Sequence, residues 1–225
     1  MDVPVIELYG WQIAEPFTLL TDWILACFSI AFGIILLRKS GADLIKKFWA
    51  FFFFFLAAAS IFGGIGHGFV YYVGPSCNLA AWSVSGMGIF CAEMAALQLI
   101  DNSKFRSSIR FFVYAQLVVM IVSVFYFQNF QAVMFNSIVG LLCVAFPLNF
   151  FHYKKYQDSR SLIVMLGILS NAIPALIHTF KISVNEWFNA NDISHVIMVF
   201  CFYLIFKGAK DQSAVRSSSS VLAKA

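Results

Sequence analysis

Five ionisable side chains lie in segments that are otherwise apolar: Asp22, His67, His178, Asp192 and His195. Imidazole and carboxylate are groups that ligate zinc, hold one another in a fixed tautomer, and exchange protons near neutral pH. Inside a membrane such groups are costly, and they normally face a bundle interior or a wet cavity where they find partners. Whether these five form a site depends on the elements that carry them.

Those elements follow from composition. The chain has 225 residues, 61% hydrophobic and 12% charged, against roughly 25% charged in soluble domains. Apolar runs separated by breakers give seven spans, at 16 to 38, 45 to 71, 79 to 100, 107 to 127, 130 to 152, 160 to 180 and 187 to 207. Several approach the roughly 20 apolar residues that a bilayer-spanning helix needs. The expected fold class is an all-α, polytopic seven-helix bundle over residues 1–210, followed by a disordered tail over 211–225 that contains the serine run 217–220. Strand-period alternation typical of a membrane barrel is missing. The first ten residues are acidic and lack the basic start of a cleavable signal, so the first helix is expected to be retained. The five cysteines form no CxxC pair and suggest no disulfide framework. The net charge of +4 does not point to nucleic acid in such a chain; membrane lipids are the expected surroundings.

Basic residues set the direction. Of the 15 Lys and Arg, all but Lys181 fall in the first, third and fifth connections, at their flanks, or in the tail. The positive-inside rule then places the C-terminus in the cytoplasm and the N-terminus outside or in a lumen. With a rise of about 1.5 Å per residue, Glu15, Thr18 and Asp22 share one face near the outer start of the first span. His67 comes to the outer third of the second span, Ser83 lies near the start of the third, and Asn171 and His178 share a face of the sixth. Asn191, Asp192 and His195 open the seventh. His152 lies at the cytoplasmic end, and Glu93, deeper in the third span, is expected to pair with Gln116 or a tyrosine hydroxyl.

Plainer roles exist for each residue. A lone histidine can bridge helices, and Asn171 can satisfy carbonyls freed by Pro174. Asp192 can cap a helix, and Ser83, like the glycines around His67, lets helices approach closely. Independent bridges have no reason to share a depth, however. The shared depth of His67, His178, His195, Asp22 and Asp192 points to a joint site, with zinc on the three histidines. Asp22 or Asp192 would orient a ligand or act as general base toward a metal-bound water.

Seven helices with the N-terminus outside, a histidine near the outer end of the second and Asn191-x-x-x-His195 on the last resemble the alkaline ceramidase superfamily, which includes the progestin and adiponectin receptors. The resemblance is one of topology and a few positions. It implies a membrane hydrolase acting on an amide or ester bond of a lipid, with zinc held by one histidine on the second helix and two on the seventh. His67 and His195 match two of those positions. Asn191 stands where the other histidine would be, Gly63 where a serine would be, and the third span offers no aspartate. The alternative is a non-enzymatic receptor, transporter or other small-ligand-binding membrane protein using the same pocket of Glu15, Thr18, Ser83, Asn171 and Asn191. A retinal pigment does not fit, because the last span has no lysine at mid-membrane.

The charge pattern makes a direct prediction. A membrane-impermeant antibody should reach an N-terminal tag on intact vesicles or cells of native orientation, and a C-terminal tag only after permeabilisation; the opposite pattern would reverse the assigned direction.

Overall fold

The computed structural model describes residues 3–212. Seven helical spans are long and apolar enough to cross a membrane, which fits a multi-pass membrane protein. They are α1 (Pro16–Ser40), α2 (Leu44–Gly68), α4 (Ser76–Leu97), α5 (Ser103–Phe127), a composite of α6 (Gln131–Ser137), a π-helical segment (Ile138–Ala145) and α7 (Phe146–Tyr156), a broken pair α8 (Ser159–Ser170) and α9 (Ala172–Thr179), and α10 (Ala190–Asp211). A single turn, α3 (Val70–Val73), follows α2. Helix α1 packs on α2, α2 on α4 and α4 on α5, while α10 packs against both α1 and α8.

Local chemistry explains the boundaries. Asp43, Asn102 and Asp158 cap α2, α5 and α8 by accepting hydrogen bonds from backbone N–H groups of the first turn. Pro16 stands at the start of α1, where its missing N–H costs nothing. Pro147, just inside α7, removes a backbone donor beside the π-helical segment, and irregular turns of this kind accommodate such a loss. The break between α8 and α9 falls at Asn171, whose Nδ2 donates to Gly167 O at 2.7 Å. The expected partner is a carbonyl freed by Pro174, which would be Ser170 O; the amide instead serves Gly167 O, one turn earlier.

The interior is aromatic. Phe32 stacks on Phe206 with centroids 4.6 Å apart, and Phe53 meets Phe32 edge-on at 5.5 Å. Trp49, Phe52 and Phe53 are fully buried, while Phe51 in the same run faces outward. The exposed face of α5 carries Phe111, Val118, Val119, Val122 and Phe125, an apolar stripe suited to lipid rather than water.

Two departures from the sequence reading bear on function. Residues Val5–Leu8 and Trp11–Ala14 form an antiparallel hairpin, β1 and β2, turned through Tyr9 and Gly10, both at positive φ as a tight two-residue hairpin turn requires. Its strands are too short for a span-sized pattern and sit beside a long apolar helix that dominates the signal. Helix α10 starts at Ala190, not 187, and reaches Asp211, after which Gln212 is buried. Gln212 Nε2 donates to Asn149 Oδ1 at 2.7 Å and Ser161 Oγ at 2.9 Å. The expected tail thus begins no earlier than 213, outside the described residues.

Glycines let α8 and α10 touch backbone to backbone. A Cβ at Gly208 would lie 2.7 Å from Arg160 O and 2.8 Å from Val164 N. Gly208→Ala should therefore lower stability by about 1–3 kcal/mol, the usual cost of overpacking, seen as a reduced midpoint of thermal unfolding in nanodiscs. An unchanged midpoint would contradict this packing.

Candidate functional site

Helices α1, α2 and α10 meet at the end of the bundle that carries the hairpin. Glycines on α2 allow the approach: a Cβ at Gly63 would stand 3.3 Å from Asp22 Oδ2, and one at Gly64 would stand 2.9 Å from Trp23 Cδ1. One turn beyond Gly63, on the same helical face, is His67.

Two imidazole–carboxylate pairs result. Glu15 Oε2 lies 2.8 Å from His67 Nδ1, at ion-pair distance. Asp22 Oδ1 lies 3.5 Å from His195 Nε2. The other ring nitrogen of His195 is 3.1 Å from Thr21 Oγ1, a hydroxyl that is also 3.4 Å from Asp192 Oδ1. His67 is close enough to Asp22, Asp192 and His195 for their charges to interact.

Backbone strain aims the first pair. Glu15 adopts φ 41°, ψ 55° and does not cap α1 with its side chain. A non-glycine residue in the left-handed region just before a proline is costly, and such strain persists where the surroundings enforce it. Glu15 N donates to Pro4 O at 2.9 Å, tying the strained residue to the hairpin. The side chain is turned toward His67 rather than capping the helix start. Burial acts to raise the Glu15 carboxyl, but His67, with Thr18 and Asn191 beside it, more than offsets this and holds it below the ordinary glutamate range.

The expected site residues divide clearly. Glu15, Thr18, Asp22, His67, Asn191, Asp192 and His195 gather at this end. Asp192 is fully buried at the third position of α10, where Oδ2 accepts from Asn189 N at 2.6 Å in a reciprocal capping box. Its carboxylate is thus committed to a cap and to Thr21, not free to act as a base. Ser83 bonds back to Leu79 O at 2.8 Å, and Asn171 serves the helix break, so neither lines the site. His178 sits against Phe130, ring centres 4.9 Å apart. Thr21, which links α1 to Asp192 and His195, was not singled out from the sequence; its position three residues after Thr18 was the available signal.

The metal expectation can be tested on this geometry. His195 Nε2 and Asp22 Oδ1 have a separation near the roughly 3.4 Å between two ligands of a tetrahedral zinc with bonds of about 2.0–2.1 Å. Among the described residues, however, no three His, Cys, Asp or Glu side chains come together to hold a metal ion. The three-histidine set is not assembled, because His178 lies on α9 against Phe130 and His67 is engaged by Glu15.

At the hairpin, Leu8, Tyr9, Trp11, Ile13 and Phe69 line an open apolar groove of about 300 Å³. Trp11 packs on Tyr72 and Phe69, and Gln12 N donates to Tyr72 Oη at 2.9 Å, which seats the hairpin over the end of α2. The same end of the bundle thus carries an apolar groove and an imidazole whose side chain is 33% exposed.

A family model described as a family of unknown function (DUF6962) matches residues 17–214, covering all seven spans but not the hairpin or Glu15. No curated protein and no solved structure matches the chain.

The Glu15–His67 pair has a defined pH signature. A lowered folded value means that Glu15 stabilises the fold above its unfolded pKa of roughly 4.3 and loses that contribution as pH falls through the folded value. Glu15→Gln should cost on the order of 1 kcal/mol near neutral pH, and the difference from wild type should vanish in acid. Chemical unfolding in micelles at stepped pH measures it; a difference that grows toward acid would contradict the pair.

Proposed function

The chain belongs to the DUF6962 family, a family of unknown function, and from the geometry of its site we propose that it is a membrane-embedded hydrolase of an amide or ester bond in a lipid. The hairpin end faces outside or a lumen, as the basic residues at the opposite end require under the positive-inside rule. The observation that carries the proposal is a carboxylate-held, part-exposed imidazole at the end of the bundle that also carries an apolar groove. An amphiphile presents this combination of needs: a site for an apolar group and a polar reaction centre beside it.

The chemistry is general-base hydrolysis. With Glu15 at Nδ1, His67 keeps Nε2 for a water proton, and the resulting hydroxide attacks the carbonyl carbon of the substrate. Glu15 stabilises the imidazolium, which then returns the proton to the departing amine or alcohol as the carbonyl–heteroatom bond breaks. Thr21, Asp22 and His195, mutually engaged, hold α10 against α1.

A second reading is favoured by the polar network of Thr21, Asp22, Asp192 and His195. A buried, mutually satisfied polar network suits a pocket that recognises a ligand without reacting with it, as in a receptor or transporter.

Turnover of N-acyl and ester lipids by the protein in nanodiscs separates the two. Hydrolysis is expected, reduced about 100-fold or more in His67→Ala, the usual contribution of a general base, and weakened in Glu15→Gln. No turnover of any lipid, with saturable binding that His67→Ala abolishes, would overturn hydrolysis in favour of the second reading. Stoichiometric zinc lost in both Asp22→Ala and His195→Ala would restore the metal-dependent form.

A further inference from the structure

A second polar cluster lies between α4, α5 and the π-helical segment, away from the hairpin end. Glu93 on α4 is 1% exposed, and its Oε1 has no hydrogen-bond partner. Gln116 on α5 is the polar neighbour of Glu93, and its Oε1 is likewise buried without a partner. Its Nε2 donates instead to Asn136 Oδ1 at 3.0 Å, and Asn136 precedes the π-helical segment by two residues. Gly140 in that segment passes directly over the pair, since a Cβ there would lie 3.2 Å from both Gln116 Nε2 and Glu93 Cδ.

Buried acceptors without a donor are expensive in an apolar interior. An ionised Glu93 has a remedy: Gln116 turns its amide so that Nε2 donates to the carboxylate, and Asn136 turns in response to donate to Gln116 Oε1. The observed chain runs the other way, from Gln116 Nε2 to Asn136. It is complete only if Glu93 carries a proton and donates it to Gln116 Oε1.

We propose that Glu93 is a proton-binding site inside the bundle, and that its proton sets the direction of the Glu93–Gln116–Asn136 hydrogen-bond chain leading into the π-helical segment. Loading runs the chain toward Asn136; release reverses both amides and changes what Asn136 offers to Ile138–Ala145. The titratable or charged groups nearest in the packed elements are Arg110 and Tyr114 on α5, Cys91 on α4, Cys143 in the π-helical segment and His152 on α7. α2 packs on the face of α4 that carries Gly88, through Phe52, Phe55 and Leu56, and α6 brings Asn136. Gln116 is the polar group that acts on Glu93. The site is independent of the hydrolase proposal, because it shares no residue with the hairpin end.

Infrared difference spectroscopy on the protein in nanodiscs tests it. At neutral pH the wild type should show the C=O band of a buried carboxylic acid that is lost in Glu93→Gln, a neutral replacement of nearly the same size, and shifted in Gln116→Leu. A neutral-pH spectrum that Glu93→Gln leaves unchanged shows an ionised Glu93 and overturns the site. Wild-type protein alone gives a second test should the variants not fold. Alkaline loss of the band should coincide with several-fold faster amide hydrogen exchange across 138–145, and loss of the band without that change would overturn the coupling.

Discussion

Close approach of α1 and α2 is the constraint on which the site depends. Gly63 and Gly64 remove the side chains that would otherwise collide with Asp22 and Trp23, and Gly68 does the same for Leu19. Small residues at helix contacts are the usual way to bring membrane helices together, since lipid offers no hydrophobic drive for helix association. The same approach sets His67 against Glu15. The hairpin then holds Glu15 in a strained backbone conformation that aims its carboxylate at the imidazole, so packing, strain and chemistry converge on one pair.

Polar groups elsewhere obey the same rule by different means. At the basic end, Gln212 joins Asn149, Ser161 and Trp49 in a buried network, and Asp158 caps α8 while Arg160 lies beside it. At the hairpin end, Asp192 is divided between a capping box and Thr21. Only small remnants are left unpaired, among them Glu93 and Gln116 beside an irregular helical segment, where a proton completes the accounting. The bundle is thus apolar outside and selectively polar inside, with most of these polar groups tied to a helix contact or a helix end.

Much of this was legible in the sequence, for identifiable reasons. Seven spans follow from apolar runs, and the stripe of Glu15, Thr18 and Asp22 follows from helical periodicity; both are local properties. The convergence of His67 and His195 near Asp22 was legible through depth alone. Depth does not fix rotation about the helix axis, which is why Ser83 and Asn171 shared the layer without lining the site and why His178 stands against Phe130. The hairpin was hidden because its strands are short and its role is tertiary. Asp192 illustrates a different limit: a carboxylate three residues after Asn189 suits a cap and a base equally well, and only the backbone start at Ala190 decides between them.

Nitrogen-15 solid-state NMR of His67 in bilayers tests the central claim most directly, because the claim concerns which ring nitrogen is held and which is free. The account predicts a neutral ring protonated at Nδ1 toward Glu15, with an unprotonated Nε2 whose shift moves on addition of a non-hydrolysable lipid amide analogue and whose tautomer preference is lost in Glu15→Gln. A ring protonated at Nε2 alone, indifferent to both Glu15→Gln and the analogue, would contradict it.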